Sequence, residues 1–446
     1  MKSPAKWDAI IVGARCAGAA TAIHLARQGA KVLLLDRATF PSDTLSTHFL
    51  WPRGASYLNR LGIMEQVLLV TPSAQQVFFA RDGVSFFAKT PLEDVKARLE
   101  RVHGDSSGAV DLHISVRRIV LDKMLIDSAI ALGVEFRSGV VVENVIWQNN
   151  RVVGVEARHG DSSFQERGRF IVGADGRHSR LAEWVGSPAS DHREEATFAY
   201  WSYFSGMPLE NGVMEKRGRL AVVIVPTNFN ANMTLLFGPK EWFPHFRKDH
   251  TENYYRAIGF INPELEQQLR AAYQEERFYG LNDQSAFKRK PAGPGWLLIG
   301  DAACIKDQCT AIGMTHAFRD AELAAAAILK GLSDDETLAG AEFAQQREAD
   351  LSSYYNFVCR SAGMAKATEE DMSFLRGIRS HSRFANAFGS MYGDSLPVDD
   401  FLALRREILS HAPSGEERPS DSGLSVFQDN GGSPHAPVSI DSIHHT

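Results

Sequence analysis

Gly13, Arg15, Gly18 and Asp36 share a spacing with a chemical meaning. A turn of the form G-x-G-x-x-G between a strand and a helix offers an anion free backbone N–H groups and the positive end of a helix dipole. An acid roughly 20 residues further on, at the end of the next strand, accepts from a ribose hydroxyl. The chemistry is dinucleotide binding, with Gly13, Arg15, Cys16, Ala17 and Gly18 around the phosphates, Asp36 on the ribose and Arg37 beside it. Arg15 stands where a second glycine normally lets the backbone approach the pyrophosphate. Its side chain must turn away or lie against the phosphates. Asp175, in the turn Gly173-Ala174-Asp175-Gly176, and Asp301, directly after the apolar run Gly295–Gly300, also close strands where open α/β sheets place ligands. Arg117 and Arg118 begin a helical stretch, where a cation opposes the dipole unless an anion lies nearby. One of them is a candidate phosphate contact; the alternative is a solvated arginine. Ser46, Thr47 and His48 are polar groups in an apolar loop, with His48 the only candidate acid or base; the alternative is a capping loop. Cys304 and Cys309 lack metal-ligand spacing and read as packed thiols, so no metal site is expected.

The elements that position these residues follow from periodicity. Ala9–Val12 is an apolar strand, Ala17–Gln28 a helix stopped by Gly29, and Lys31–Leu35 a second strand. A proline-punctuated loop leads to a helix over 53–61. Two apolar runs flank Asp82-Gly83, a two-residue turn signal, so Gln76–Lys89 is a hairpin that starts a second, antiparallel sheet. Residues 92–110 read as charged and irregular, and 116–132 as helix. Strands are expected at 134–137, 140–147, 152–157 and 169–172, and three more between Phe198 and Phe237. Tyr200, Trp201 and Tyr203 are candidates to line an apolar pocket, although alternation lets at most about half of a strand face one way. Met314–Lys330 is a long alanine-rich helix, and further helices are expected over 335–365 and 369–388.

The chain has 446 residues, a net charge of −6 and 44% hydrophobic residues. This suits two or three domains and argues against nucleic acid as the main partner. Four cysteines without a framework fit a reducing, cytoplasmic setting. The first strand begins almost at once, which leaves no room for a signal peptide, and no apolar run is long enough to span a bilayer. From Ala412 the chain is rich in Ser, Pro and Gly and reads as a disordered tail.

Three motifs, GARCAG with Asp36, GADGRHSR and GDAACIKDQCTAIGM, occur in an order that resembles the FAD-dependent monooxygenase superfamily, which includes geranylgeranyl reductases and flavin halogenases. The resemblance covers about residues 7–390. It implies an α/β fold: a Rossmann-like FAD-binding domain (1–75, 111–189 and 286–330), an inserted antiparallel-sheet substrate domain (76–110 and 190–285), C-terminal helices (331–411) and the tail (412–446). It places Gly13 to Gly18 and Asp36 on FAD and Arg118 beside it, with Arg117 the alternative register. Asp175 and Gly176 match a motif associated with NAD(P)H, Asp301 the ribityl side, and Gly313 and Met314 the backbone next to the isoalloxazine. The implied reaction uses NAD(P)H and O₂ to hydroxylate or epoxidise an apolar or aromatic small molecule through a flavin C4a-hydroperoxide, in a monomer or homodimer. Alkene reduction of the geranylgeranyl type is the alternative. The chain lacks the W-x-W-x-I-P signature of the halogenases, which argues against that activity.

Overall fold

A computed structural model describes residues 5–44 and 46–413. The tail read from 412 onward lies, beyond 413, outside the described residues.

The strand Trp7–Val12 stands inside a mostly parallel sheet. Val32–Leu35 and Ser162–Gly173 flank it in parallel register. Glu135–Arg137 and Trp296–Leu298 extend the two sides, again in parallel. The inner strands are covered on both faces, which explains why they read as unbroken apolar runs rather than as alternation. The helix Cys16–Arg27 packs on one face together with Arg118–Ala131 and Gly313–Ser333. Its Ala17, Ala19, Ala20 and Ala22 are buried, and these small side chains allow the close approach. On the other face Val140–Gln148 and Arg151–His159 form an antiparallel meander with the first half of Ser162–Gly173. Asn149 and Asn150, both at positive φ, make the turn between them.

The second sheet contains Gln76–Arg81, Val84–Lys89, Thr197–Ser205, Gly212–Arg217, Leu220–Pro226 and Asn232–Pro239. It is antiparallel except where Gly212–Arg217 runs parallel to Gln76–Arg81. The stretch from Phe198 to Phe237 thus holds four strands rather than three. Gly212–Arg217 has only Val213 and Met214 as apolar residues and gives little strand signal.

The pleat divides the aromatic candidates. Trp201 and Tyr203 face one way, into a core shared with Trp51, Phe79 and the C-terminal helices. Tyr200 faces the other way, packed with Phe198 and Phe246 beneath the helices His250–Ile261 and Pro263–Ala271. The expectation that all three line one pocket is therefore corrected for Tyr200, because neighbouring strand residues point to opposite faces.

Two other expectations change. Residues 92–103, read as irregular, form a helix with Glu93 and Asp94 in its first turn and Gly104 left-handed behind it. Only Val95 and Leu99 on it are buried in the apolar core, with Val102 packed at its edge, so its periodicity is faint. The expected helix over 369–388 is two, Glu369–Ser380 and Ser382–Tyr392, parted by the extended backbone of His381. Among the described residues no helix is long and apolar enough to cross a membrane.

Candidate functional site

Gly13 has φ +103, and a Cβ there would fall 2.3 Å from the Ala174 carbonyl oxygen. A Cβ on Gly18 would fall 1.8 Å from the Gly13 carbonyl oxygen. Neither position admits a side chain, and the two glycines press the first helix onto its strand. That helix starts without a side-chain cap and without an acid in its first turn, so no side chain covers its leading N–H donors. Asp36, at the end of the next strand, accepts the backbone N–H groups of Ala14 and Ala38, each at 2.7 Å. Its carboxylate is thereby held at the lip of the turn. The side chain of Arg37 is exposed.

Arg15 turns away from the helix end. Its Nη1 donates to Asp122 Oδ2 at 2.7 Å and to the Ser42 carbonyl at 3.3 Å. Its Nη2 donates to Ser42 Oγ at 3.1 Å and to the Asp43 carbonyl at 3.2 Å. Asp122 is fully buried and also takes a two-pronged contact from Arg118, Nε at 2.9 Å and Nη2 at 3.0 Å. Cys16 Sγ lies 3.5 Å from the same carboxylate, and burial pushes its thiol up to about 12, so it is not a thiolate at neutral pH. Arg117 stands at the N-cap position of the helix Arg118–Ala131, with its side chain turned elsewhere. It pairs with Glu276 and Asp43 and lies 4.2 Å over the ring of Tyr203.

The other two acids differ in role. Asp175 accepts from Ser179 Oγ at 2.6 Å and from the Leu181 N–H at 3.1 Å, which anchors the short helix Arg180–Trp184. Burial raises its carboxyl above the usual range. Gly176 beside it is left-handed at φ +80. Asp301 has an exposed side chain, yet the surrounding protein desolvates it enough to raise its pKa, against the pull of Lys306, Arg118 and Arg177. These observations agree if the carboxylate stands on the wall of a narrow open crevice. Gly300, just before it, donates its N–H to Asp320 Oδ2 at 3.0 Å, and Arg319 and Arg347 hold that carboxylate. A Cβ on Gly300 would lie 3.1 Å from that of Ala17, so this turn touches the first helix.

The helix Gly313–Ser333 starts, like the first helix, with no side-chain cap and no acid in its first turn. A Cβ on Gly313 would meet nothing within 4 Å, while Met314 is buried. Asp307 secures the loop before this helix. It is buried, accepts from Thr197 Oγ1 at 2.7 Å and from the Cys309 N–H at 2.9 Å, and burial raises its carboxyl. Trp51 Nε1 donates to the Thr310 carbonyl at 3.0 Å and ties the 46–51 segment to the same loop.

His48 is buried against Tyr203, the two rings nearly parallel with centroids 5.7 Å apart. Burial first, then Arg117 and Arg118, lower its pKa to about 3. The imidazole is therefore neutral near pH 7.

The structure thus brings Gly13 to Gly18, Asp36, Arg118, Asp301 and the Gly313–Ser333 helix close together, with His48 and Tyr203 beside Arg117 and Arg118. Sequence reasoning did not single out Asp122, Asp307, Trp51 or Asp320. Only Asp122 had a local signal, its four-residue spacing from Arg118 on a helix.

The family description "FAD binding domain" matches residues 6–347, and the chain belongs to that family. It is 26% identical over 439 residues to Protein FixC of Salmonella typhi, covering 91% of this chain and 94% of that one. It spans 64% of the length of another curated relative. Its fold is that of the halogenase CndH from a myxobacterium (TM-score 0.68, 21% identity, 94% and 99% of the two chains). It is equally that of PqsL, a probable FAD-dependent monooxygenase from Pseudomonas aeruginosa (TM-score 0.66, 19% identity, 85% and 98%). The class is that of the FAD-binding flavoproteins.

Proposed function

We propose that this chain is an NAD(P)H-dependent FAD monooxygenase that hydroxylates or epoxidises an apolar or aromatic small molecule. The observation that carries this reading is the approach of two uncapped helix starts, Cys16–Arg27 and Gly313–Ser333, on a crevice that also holds Asp36 and Asp301. Such a donor set fits a flavin dinucleotide, whose diphosphate and ring each take negative charge. The backbone from Gly13 to Gly18 would hold the diphosphate, Asp36 the adenosine ribose, Asp301 the ribityl side, and Arg118 would add a cation. Gly313 and Met314 would set the positive end of their helix against the ring. When bound, FAD supplies hydride acceptance and oxygen activation.

The chain's own residues bind, orient and keep water out. Trp201 and Tyr203 give the second sheet an apolar wall, and Asp307 and Trp51 fix the loop at its base. Asp175 anchors its own turn and Gly176 leaves that turn open, which suits brief docking of a nicotinamide nucleotide. The test is anaerobic reduction of the purified yellow protein by NADH or NADPH, followed by admission of oxygen. Oxygen uptake matched to substrate consumed is expected.

An alkene reductase is the second reading. It is favoured by the exposed apolar rim of Leu69, Val70 and Phe229 beside Arg117, which suits a longer hydrocarbon. Turnover without oxygen would establish it in place of the first.

A further inference from the structure

Leu69 and Phe229 are the two most exposed large apolar side chains among the described residues, at 84% and 70%, and they come from distant parts of the chain. Val70 at 47% and Leu68 at 39% stand next to Leu69. Single exposed apolar residues are ordinary on a protein surface. Four of them gathered on two adjoining turns mark an interaction site.

The grouping is built by specific bonds. Leu68 ends the short helix Met64–Leu68, and Leu69 and Val70 turn the chain behind it. Phe229 lies at the tip of the hairpin between Leu220–Pro226 and Asn232–Pro239. Buried Asn228 joins the two turns. Its Nδ2 donates to the Val70 carbonyl and to Thr71 Oγ1, each at 2.7 Å, and its Oδ1 accepts the Arg117 N–H at 2.8 Å. Thr227 Oγ1 donates to the Ser115 carbonyl at 2.6 Å and holds the base of the hairpin. Phe229 and Asn230 have φ +66 and +55, a left-handed backbone that is unfavourable for a bulky residue. A strained backbone and a solvated phenyl ring are thus fixed together at one point.

Charge narrows what this point can meet. Residues 66–80 and 220–239 carry no charged side chain, in a chain of which 23% is charged. The charges beside the ring are Arg117, 5.8 Å from its centre, and the partners of Arg117, Glu276 and Asp43. One cation against two carboxylates gives no attraction to an anionic surface. Size narrows it further. A stable protein interface takes about 20–30 residues a side, and four side chains on two turns fall far short of that. They suit shallow insertion at a hydrocarbon boundary, where affinity grows with the apolar area buried.

We infer that the turns at 68–70 and 229 form a docking tip for an uncharged, zwitterionic lipid surface, into which Leu69 and Phe229 insert. The attachment is peripheral, through side chains on two turns. It stands on this surface alone and does not depend on the flavin reading.

The test is flotation of the purified full chain with phosphatidylcholine vesicles. The wild type is expected to float with them, and to do so equally when salt is raised from about 0.1 to about 1 M, because salt screens charges only. Replacing part of the lipid by phosphatidylserine is expected to bring no gain. The double variant Leu69→Ser, Phe229→Ser is expected to lower the ratio of bound to free protein about tenfold or more, with an unchanged thermal midpoint, because both side chains already face water. Leu69→Ile with Phe229→Leu is expected to keep the binding. A wild type that stays in the buffer overturns the inference, as does a serine variant that floats equally well. Binding that needs phosphatidylserine or disappears in high salt overturns it too, in favour of a charged contact. Self-association in sedimentation velocity that the serine variant abolishes assigns the tip to a second copy of the chain and likewise overturns it.

Discussion

Arg15 Nη1 and Asp122 Oδ2 meet at 2.7 Å, joining the turn after the first strand to the helix Arg118–Ala131. The residue that departs from the glycine fingerprint is thus one half of a clamp, and Arg118 shares its carboxylate. Asp122→Asn would leave two guanidinium groups around a neutral amide. A destabilisation of about 3 kcal/mol is expected, because Asp122 is wholly buried. Urea unfolding of the holoprotein measures it, and a change near zero would contradict the clamp. Arg15→Gly should keep flavin binding but speed protease cleavage within residues 40–48.

Gly18 gives a sharper outcome. Its missing Cβ would collide with the backbone of Gly13, not with a movable side chain. Gly18→Ala is expected to destabilise the protein by about 3 kcal/mol and to yield it without yellow colour. Retention of flavin by this variant would show that the helix does not bear on the strand as described.

Acid should weaken the fold early. Burial lowers the pKa of His48 to about 3 and of His103 and His113 to about 4, from an ordinary 6.5. Between those limits the unfolded chain binds more protons than the folded one, so stability falls as pH falls. Each histidine contributes a slope of up to about 1.4 kcal/mol per pH unit. Denaturant midpoints at about pH 7 and about pH 5 should differ clearly, and His113→Phe should show a shallower dependence.

The pleat of Thr197–Ser205 separates two aromatic substitutions. Trp201→Ala should leave flavin in place and weaken binding of an apolar ring compound about tenfold. Tyr200→Ala should leave that binding unchanged and cost about 3 kcal/mol of stability, because Tyr200 packs on Phe246 in the other core. Equal effects on binding would place both on one face.

What was legible in the chain was local. The strand, turn and helix from Trp7 to Arg27 show in consecutive residues, and so do Asp36 and the alanine-rich helix behind Gly313. What was not legible depends on partners far away in sequence. Nothing near Arg15 announces Asp122, and nothing near Gly300 announces Asp320. The face of Tyr200 follows from strand register, which a single strand does not display. The helix Leu92–His103 was hidden because charges outnumber its two core residues.

Arg53, Arg98, His316, Asp350 and Asp394 form one buried knot. Arg53 reaches both Asp350 and Asp394, Arg98 pairs with the same two acids, and His316 Nε2 lies 2.7 Å from Asp394. Its cations emerge early in synthesis and its last acid very late. Asp350 alone cannot neutralise both Arg53 and Arg98, so the knot balances its charge only once residue 394 has left the ribosome. The segments that carry Arg53 and Arg98 therefore gain their last charge partner only from the far end of the polypeptide. Released fragments that stop short of that residue should be substrates for chaperones rather than miniature enzymes.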